Sequence, residues 1–197
     1  MIKTFLFDIG NVVWEFRPLQ KDLLTRWAKL LDTDYESLFQ DFLAVYKDFE
    51  TDKLILVQYF KSKDKDPQPF LDALDKVYTL DAFQKYLVPG TLKLISDLKA
   101  NGYQVAYLSN AENFLYPYIH ARLEPLFSFG ICSWQAKSRK PDSKIFKQVL
   151  KQTKSKASEI FFIDDVKENI LAAKALGFKG HHFLDPKKLA QDIKKYL

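Results

Sequence analysis

Short apolar runs that alternate with amphipathic helices constrain the fold of this chain most strongly. Apolar runs of strand length occupy residues 3–8, 103–110, 127–133, 159–165 and 178–184, and helical patterns occupy 91–102, 141–153 and 167–177. Strands buried on both faces are continuously apolar, and strands that alternate with helices build a parallel sheet. The sequence therefore predicts an α/β protein whose parallel sheet is covered by helices on both faces.

The periodicity is different between the first strand and residue 89. The stretches LQKDLLTRWAKLL, YESLFQDFLAVY, KLILVQYFKS and PFLDALDKVY place apolar residues three and four apart, as amphipathic helices do. No strand is needed in this region, and Pro89-Gly90 marks its end. We therefore predict a helical lobe at 17–88, inserted into an α/β core formed by residues 1–16 and 89–197.

Composition and charge limit the cell compartment and the partners. Cys132 is the single cysteine of the 197 residues, which excludes an internal disulfide and favours a reducing compartment. The apolar N-terminus is interrupted by Asp8, unlike a signal peptide or a membrane span. The net charge of +5 comes largely from lysines at helical spacing in the last third, a pattern typical of a solvated helix face. We expect a cytoplasmic protein with no nucleic-acid, membrane or obligate protein partner.

Polar residues stand where three predicted strands end. The first strand ends at Asp8, the second at Ser109-Asn110 and the fourth at Asp164-Asp165. In open parallel sheets, ligands bind beyond the carboxyl ends of the strands. One acid there could simply cap a turn, but three carboxylates brought together would repel one another unless a cation lay between them. Oxygen ligands without a nearby cysteine or histidine favour a hard ion, and Mg²⁺ is the usual choice with phosphate.

A lysine supplies the opposite charge. Lys140 directly precedes Pro141, and proline is favoured at the first position of a helix. We therefore expect Lys140 at the entrance of the helix predicted over 141–153, where its ammonium group can balance carboxylates or bind a phosphoryl oxygen. The alternative, an ordinary surface lysine, stays open at this point.

Together these segments resemble the motifs of a known family. FLFDIGNVV, YLSN, RKP and FFIDD, in that order and with a helical insert between the first two, are similar to the four signature motifs of the haloacid dehalogenase-like (HAD) superfamily of phosphohydrolases. The resemblance implies a Rossmann-like core and a mobile cap, residues 17–88, that closes over the site and selects the substrate. It also implies an Mg²⁺-dependent phosphatase of a small phosphorylated metabolite.

The resemblance assigns a role to each matching residue. Asp8 matches the nucleophile that forms an aspartyl-phosphate, which divides one difficult displacement into two steps. Ser109 and the backbone N–H of Asn110 match the donors to a phosphoryl oxygen. Lys140 matches the lysine that steadies the nucleophile and the developing charge.

The same resemblance assigns the metal ligands. Asp8 and Asp165 would bind Mg²⁺ directly, with Asp164 as a second or water-mediated ligand, and the ranking of the two neighbouring acids stays open. The backbone carbonyl of Gly10 would be a further ligand. In most phosphatases of the superfamily this position is an aspartate that protonates the leaving group, and a positioned general acid contributes about 10²–10⁴-fold to the rate. Gly10 can keep the metal but cannot be the acid.

Two interpretations of Gly10 follow. In the first, the chain resembles the α-D-glucose-1-phosphate phosphatase-like branch, where an anomeric oxygen leaves easily and a missing acid matters less. Glu50 or Glu15 is then a candidate proton donor, although each is also readily explained as a surface acid. In the second, the chain is a phosphate-ester-binding or regulatory protein with little turnover. A third possibility, haloacid dehalogenation, needs no metal, and the pair Asp164-Asp165 argues against it. We favour the phosphatase.

The substrate pocket is the least defined part. Trp14, Phe16 and Arg17 lie where a cap hinge would be and are candidate pocket walls, with Arg17 a candidate phosphate-binding cation. Trp27 stands at helical spacing, and we assign it to the core.

Overall fold

Five parallel strands form one sheet in a computed structural model that describes residues 1–196. The strands are β1 (Thr4–Phe7), β2 (Gln104–Ser109), β3 (Phe129–Cys132), β4 (Ile160–Asp164) and β5 (Lys179–His182). Their order in the sheet is β3-β2-β1-β4-β5. The predicted α/β fold with a parallel sheet is therefore confirmed. The chain order reverses at β1, between β2 and β4, and such a switch point opens a crevice at the carboxyl ends of the strands.

The strands are apolar because helices cover both faces of the sheet. Phe7 on β1 pairs in register with Tyr107 on β2 and Ile163 on β4, and all three are fully buried or nearly so. Each observed strand is shorter than the predicted one, although flanking residues still bond to the neighbouring strand, as the Asp8 N–H does to the Ile163 carbonyl at 2.8 Å. This common register brings the residues that follow β1, β2 and β4 to one edge.

The connection between β1 and the next core helix is mainly helical, with isolated β-bridges from Trp14 to Gly10 and to Leu87. Residues 17–88 contain α1 (Arg17–Leu30), α2 (Tyr35–Glu50), α3 (Leu56–Lys61), α4 (Gln68–Val77) and α5 (Leu80–Lys85). We call residues 17–88 the helical insert. The two segments that join it to the sheet run side by side, since Glu15 N–H donates to the Tyr86 carbonyl at 2.9 Å and Val88 N–H to the Val13 carbonyl at 2.9 Å. The boundaries of the insert as a separate domain remain a prediction.

An aromatic cluster binds the insert to the sheet. Trp27 contacts the rings of Phe42, Phe60 and Phe70, and also that of Phe114, which follows β2. Its indole N–H donates to the Phe70 carbonyl at 3.0 Å. Trp27 is fully buried, which confirms its assignment to the core. The insert and one face of the sheet thus share a single hydrophobic cluster.

The remaining helices are α6 (Pro89–Ala100), α7 (His120–Leu123), α8 (Ser133–Ala136), α9 (Ser143–Thr153), α10 (Lys167–Ala175) and α11 (Pro186–Ile193). Single turns of 3₁₀ helix cover Asn113–Leu115, Glu124–Leu126 and Ala157–Glu159. Side chains of α9 and α10 pack on one face of the sheet, and those of α6 and α11 pack on the other. Within residues 1–196, no helix combines the length and the apolar character that a membrane crossing requires.

Two details differ from the sequence predictions. Helix α9 begins at Ser143 with Asp142 as its N-cap, so Pro141 is not its first residue and Lys140 lies in the preceding connection rather than at the helix entrance. Helices α7, α8 and α11 were not among the predicted helices. The predicted core segment ends in Leu197, which lies outside the described residues.

Candidate active site

A buried lysine bridges two carboxylates at the carboxyl ends of β1 and β4. The Lys140 ammonium nitrogen lies 2.7 Å from Asp8 Oδ1 and 2.7 Å from Asp164 Oδ2. Lys140 is 1% exposed, Asp8 8% and Asp164 0%. A buried charged side chain is retained inside a protein only when it is paired, and here one ammonium group pairs with two carboxylates. The interpretation of Lys140 as an ordinary surface lysine is therefore wrong.

The residue after β2 holds Lys140 in place. The Asn110 side-chain amide donates to the Lys140 carbonyl at 3.0 Å, and the Lys140 backbone N–H donates to Asn110 Oδ1 at 2.8 Å. This reciprocal pair fixes the backbone from which the ammonium group extends. The sequence motifs predicted Lys140 and Asn110 at one site, and the structure shows that they hydrogen-bond to each other.

The two acids after β4 have different surroundings. Both oxygens of Asp164 are engaged, by Lys140 and Asn169 and by the Val166 backbone N–H at 2.8 Å. Asp165 accepts one side-chain hydrogen bond, from Asn11 at 2.9 Å. Asp164 is thereby held rigidly, whereas Asp165 keeps carboxylate lone pairs free.

Three carboxylates converge on one point. Asp8, Asp164 and Asp165 each offer an oxygen, and these oxygens lie within 4.8 Å of one another. Hard cations such as Mg²⁺ prefer an all-oxygen set of this kind. The predicted acidic cluster is thus present, and its donors fit a divalent cation.

Burial and the neighbouring charges shift the pKa values of Asp8 and Lys140. Burial raises the pKa of Asp8 to about 7, with Asp164 and Asp165 adding to the rise and Lys140 opposing it. Burial also disfavours the charge on Lys140, but Asp164 and Asp8 outweigh it and raise the Lys140 pKa. A cation among the three acids would favour the ionised form of Asp8, the form that can attack phosphorus.

Ser109 has a partner that the sequence did not suggest. His120 Nε2 lies 3.0 Å from Ser109 Oγ, and both residues are buried. Burial, followed by the charge of Lys140, lowers the pKa of His120 to about 3, so the imidazole is neutral. A neutral ring that donates through Nε2 would leave the serine hydroxyl hydrogen free for a phosphoryl oxygen. His120 begins the four-residue helix α7, which is too short for periodicity to give a signal.

The ring of Phe16 packs against Gly10. A Cβ added at Gly10 would lie 3.3 Å from Phe16 Cδ1 and 3.4 Å from Cε1. Any side chain at position 10 would therefore begin in close contact with this aromatic ring.

A cavity of about 70 Å³ lies between the helical insert and the segment after β2. We call it the chamber. Ile9 and Asn110, which directly follow Asp8 and Ser109, form part of its wall, and so does Phe16. Most of the lining is aliphatic or aromatic, contributed by Ile9, Trp14, Phe16, Leu23, Leu24, Phe42, Tyr46, Tyr78, Phe114, Leu115 and Ile119. The remaining lining side chains are Gln20, Asn110, Glu112 and His120. Trp14 and Phe16 are thus pocket walls, as expected.

Two buried acids flank the chamber. Glu112 lines it, and burial together with Glu50 raises the pKa of Glu112 to about 7, while the neighbouring Tyr46 hydroxyl lowers it. Glu50 is 2% exposed and pairs with Arg139, so its description as a surface acid is wrong. Burial raises the pKa of Glu50, and Arg139 opposes this. Glu15 is exposed, as expected of a surface acid.

Arg17 lies apart from the lysine bridge. It is exposed at the first position of α1 and lines an open depression together with Asn11, Glu15 and Asp165. The structure therefore brings it near the outer side of the acidic cluster. Its role in phosphate binding remains a prediction.

The comparison with protein families identifies the chain's class. Residues 2–177 match the family model described as haloacid dehalogenase-like hydrolase. The chain belongs to the haloacid dehalogenase-like hydrolases. The resemblance seen in the four sequence motifs is thereby confirmed at the level of the superfamily.

Individual relatives add the following similarities. The chain is 32% identical over 107 residues to the sesquiterpene phosphatase astK of Aspergillus oryzae, covering 52% of this chain and 53% of that protein, so it spans about half the length of this relative. A predicted HAD-like family hydrolase from Porphyromonas gingivalis matches with a TM-score of 0.76 and 20% identity, over 100% of this chain and 98% of the other.

Two further structures share the fold. A HAD family enzyme from Bacteroides thetaiotaomicron, in complex with magnesium and inorganic phosphate, matches with a TM-score of 0.71 and 20% identity over 94% of this chain and 96% of the other. A 2-haloacid dehalogenase from Pseudomonas syringae matches with a TM-score of 0.65 and 18% identity over the whole of both chains. The fold thus occurs with more than one chemistry.

Proposed function

We propose that the chain is an Mg²⁺-dependent phosphatase that hydrolyses phosphate monoesters through an aspartyl-phosphate on Asp8. The observation that carries this proposal is the buried Asp8–Lys140–Asp164 bridge, which adjoins Ser109 and a cluster of three carboxylates. A dehalogenase has no need for an acidic cation site. The phosphatase relative and the Bacteroides enzyme, which was solved with magnesium and phosphate, support the same reaction class.

The metal ligands that we propose are Asp8, Asp165 and the backbone carbonyl of Gly10. Asp165 is preferred to Asp164 as the direct ligand, because Lys140, Asn169 and a backbone N–H already occupy the oxygens of Asp164. Asp164 then acts from the next layer by holding Lys140. When bound, Mg²⁺ would neutralise part of the phosphoryl charge.

Asp8 has the surroundings that its role requires. One Asp8 oxygen accepts from Lys140, and the other is free to attack phosphorus. The P–O bond to the alcohol breaks as the Asp8–phosphorus bond forms, and water then releases phosphate from Asp8. In both steps the Ser109 hydroxyl and the Asn110 backbone N–H would donate to phosphoryl oxygens, where negative charge is concentrated. We propose that Arg17 assists phosphate binding from the open depression that it lines with Asp165.

For the substrate we propose a small phosphorylated metabolite. A sugar phosphate such as glucose 1-phosphate is the candidate that the first motif favours, because an anomeric oxygen leaves without much help from an acid. We further propose a cytoplasmic location and no nucleic-acid, membrane or obligate protein partner.

The chamber supports a second candidate, the monophosphate of a largely hydrocarbon alcohol. Asn110 is already hydrogen-bonded to Lys140, and His120 to Ser109. The lining groups left to bind a ligand's hydroxyls are therefore Gln20, Glu112 and the tyrosine hydroxyls. A sugar would bury several hydroxyls there, and each one left unpaired costs about 1–3 kcal/mol. The phosphatase relative that acts on a sesquiterpene is in keeping with this candidate.

The volume of the chamber bears on substrate size. Sites for drug-sized ligands measure about 300–1,000 Å³, whereas the chamber measures about 70 Å³. Either candidate therefore requires the insert to move away from the segment after β2, or only part of the alcohol to enter. A mobile cap would provide that movement.

Phosphate release with and without Mg²⁺ tests the proposal. The panel comprises glucose 1-phosphate, other sugar phosphates, 4-nitrophenyl phosphate and a series of n-alkyl phosphates, with Asp8→Asn as the inactive control. Mg²⁺-dependent turnover that disappears in the control is expected. If the alcohol is hydrocarbon, kcat/KM should rise about fourfold per methylene until the chamber is full, as about 0.8 kcal/mol per buried CH₂ implies.

The same panel decides against the alternatives. Sugar phosphates that surpass every alkyl ester would remove the hydrocarbon candidate and keep the phosphatase. Metal-dependent binding of esters without turnover of any member would make the chain a phosphate-ester-binding protein. Chloride release from 2-chloropropionate without metal would instead make it a dehalogenase.

A further inference from the structure

Gly10 leaves the proposed reaction without a proton donor at its usual place. An alkoxide is a poor leaving group, so hydrolysis of an alkyl phosphate at neutral pH needs an acid within reach of the leaving oxygen. Attack by Asp8 directs the leaving oxygen away from Asp8. The chamber is the apolar space beside the reacting centre, because Ile9 and Asn110 of its wall directly follow Asp8 and Ser109, so its lining groups are the first candidates for the donor.

Few lining groups can exchange a proton near neutral pH. His120 has a pKa of about 3 and is bonded to Ser109, so it carries no acidic proton to give. Burial raises the pKa of Tyr78 and of Tyr46 far above the neutral range, so neither hydroxyl is acidic enough. Gln20 does not titrate. Glu112 is the lining residue that remains.

The other acids near the site are committed or remote. Glu50 pairs with Arg139 and is not part of the chamber wall. Glu15 lines the outer depression instead. Neither of the two donors considered from the sequence is therefore placed to act inside the chamber.

The surroundings of Glu112 suit an acid. It is 6% exposed, and no salt bridge within residues 1–196 neutralises it. The ionisable groups that face it are Tyr46 and Glu50 from α2 and Tyr78 from the end of α4. Burial disfavours a negative charge on Glu112, and the nearby charge of Glu50 does the same, so Glu112 keeps its proton close to neutrality.

We propose that Glu112 is the general acid of this enzyme and donates its proton to the leaving-group oxygen, the task that Gly10 cannot perform. This inference rests on the proposed phosphatase function. It requires Glu112 to contact the leaving oxygen when the substrate is bound.

The proton balance is complete in two steps. In the first, an Asp8 oxygen bonds to phosphorus, the P–O bond to the alcohol breaks, and the Glu112 proton passes to the alcohol oxygen. In the second, water attacks phosphorus, its proton returns to the Glu112 carboxylate, and the Asp8–phosphorus bond breaks. The products are alcohol and phosphate, and both carboxyl groups regain their starting forms.

Glu112→Gln tests this role, because it keeps the size of the side chain and a hydrogen-bonding group but not the acid. With the best alkyl phosphate of the panel, kcat/KM should fall about 10²–10⁴-fold. With 4-nitrophenyl phosphate, whose leaving group needs no proton, kcat/KM should stay within about threefold. A stoichiometric burst of nitrophenolate should then appear, because the phosphorylated Asp8 lacks a base for its hydrolysis.

Glu36→Gln is the matched control, since it makes the same change in an exposed acid of α2 that neither lines the chamber nor shifts the pKa of Glu112. It should affect both substrates alike. An equal loss with both substrates in Glu112→Gln would reduce Glu112 to a structural residue and overturn the proposal. If the wild type turns over neither substrate, the phosphatase assignment itself fails, which is a distinct result.

A second measurement covers the case in which Glu112→Gln does not fold. For the wild type, kcat/KM with the alkyl ester should decline above about pH 7, where the acid loses its proton, and kcat/KM with 4-nitrophenyl phosphate should not. A decline shared by both substrates would overturn the role of Glu112.

Discussion

Replacing Lys140 by methionine should destabilise the folded protein in a manner that depends on pH. The substitution keeps a side chain of similar length but leaves Asp8 and Asp164, whose oxygens lie within 4.8 Å of each other and of Asp165, without their shared counter-ion. Removing one partner of a buried ion pair costs about 3–5 kcal/mol, because the remaining charge is neither hydrated nor paired. For a chain of this size, that loss lowers Tm by roughly 10 °C.

Protonation of Asp8 limits this loss at low pH. The Asp8 pKa is about 7 with Lys140 present, and Lys140 is a group that lowers it, so in Lys140→Met it should be higher still. A folded-state pKa above the unfolded value means that stability is greatest at low pH and declines as the pH rises through the folded pKa. Each pH unit in that range costs up to about 1.4 kcal/mol. The deficit of the variant should therefore be small at pH 5.5 and large at pH 8.5.

Urea unfolding followed by circular dichroism, at both pH values and with EDTA or Mg²⁺, measures this deficit. Mg²⁺ should recover part of the stability at pH 8.5, because a cation among the acids takes over the role of the ammonium group. Lys144→Met, an exposed lysine at the start of α9, is the matched control and should change the free energy of unfolding by less than about 0.5 kcal/mol. An equal deficit at pH 5.5 and 8.5 would refute the view that uncompensated carboxylates cause it.

Three further predictions concern neighbouring residues. Asn110→Ala should lose about 1–3 kcal/mol of stability in urea unfolding and should lower turnover, since it removes both hydrogen bonds that hold the Lys140 backbone; an unchanged midpoint would contradict this. Gly10→Ala should lose about 1 kcal/mol, and Phe16→Leu should relieve that loss, because the added Cβ meets the Phe16 ring at 3.3 Å; strictly additive effects in the double-mutant cycle would disprove the contact. In EDTA, the free energy of unfolding of Glu112→Gln should fall by about 3 kcal/mol less than that of the wild type as the pH rises from 5 to 8. The reason is that burial raises the Glu112 pKa from 4.5 to about 7 in the folded wild type, and this removes stability as the pH rises. Parallel pH profiles would exclude this contribution.

The sheet and much of the site could be predicted from the positions at which the apolar strands end. Asp8, Ser109 and Asp164 could be predicted to meet because each follows an apolar run, and parallel strands bring their carboxyl ends to one edge. That inference needs only periodicity and the direction of the strands. It does not give side-chain contacts, so the direct bridging of Asp8 and Asp164 by Lys140 became visible only in the structure.

Residues in irregular segments were beyond such reasoning. Glu112 and His120 lie between β2 and β3, where short turns replace regular periodicity and no pattern indicates which side chains point inward. The burial of Glu50 at the end of α2 depends on Arg139, which is distant in the sequence. The one available signal for Glu112 was its position, three residues after Ser109, where the strand ends.

Gly10, Phe16 and Glu112 are best understood as one arrangement. The Cβ of an aspartate at position 10 would lie 3.3 Å from the Phe16 ring and would press it aside, and that ring belongs to the apolar wall of the chamber. An aromatic ring in the wall at this point favours a hydrocarbon alcohol, and it also crowds the usual acid. The proton must then come from an element that reaches the chamber by another route, and the segment after β2 supplies Glu112 there. The apolar wall and the relocated acid thus depend on each other, so restoring the usual acid by Gly10→Asp should require Phe16→Ala in the same chain before it can rescue Glu112→Gln on alkyl phosphates.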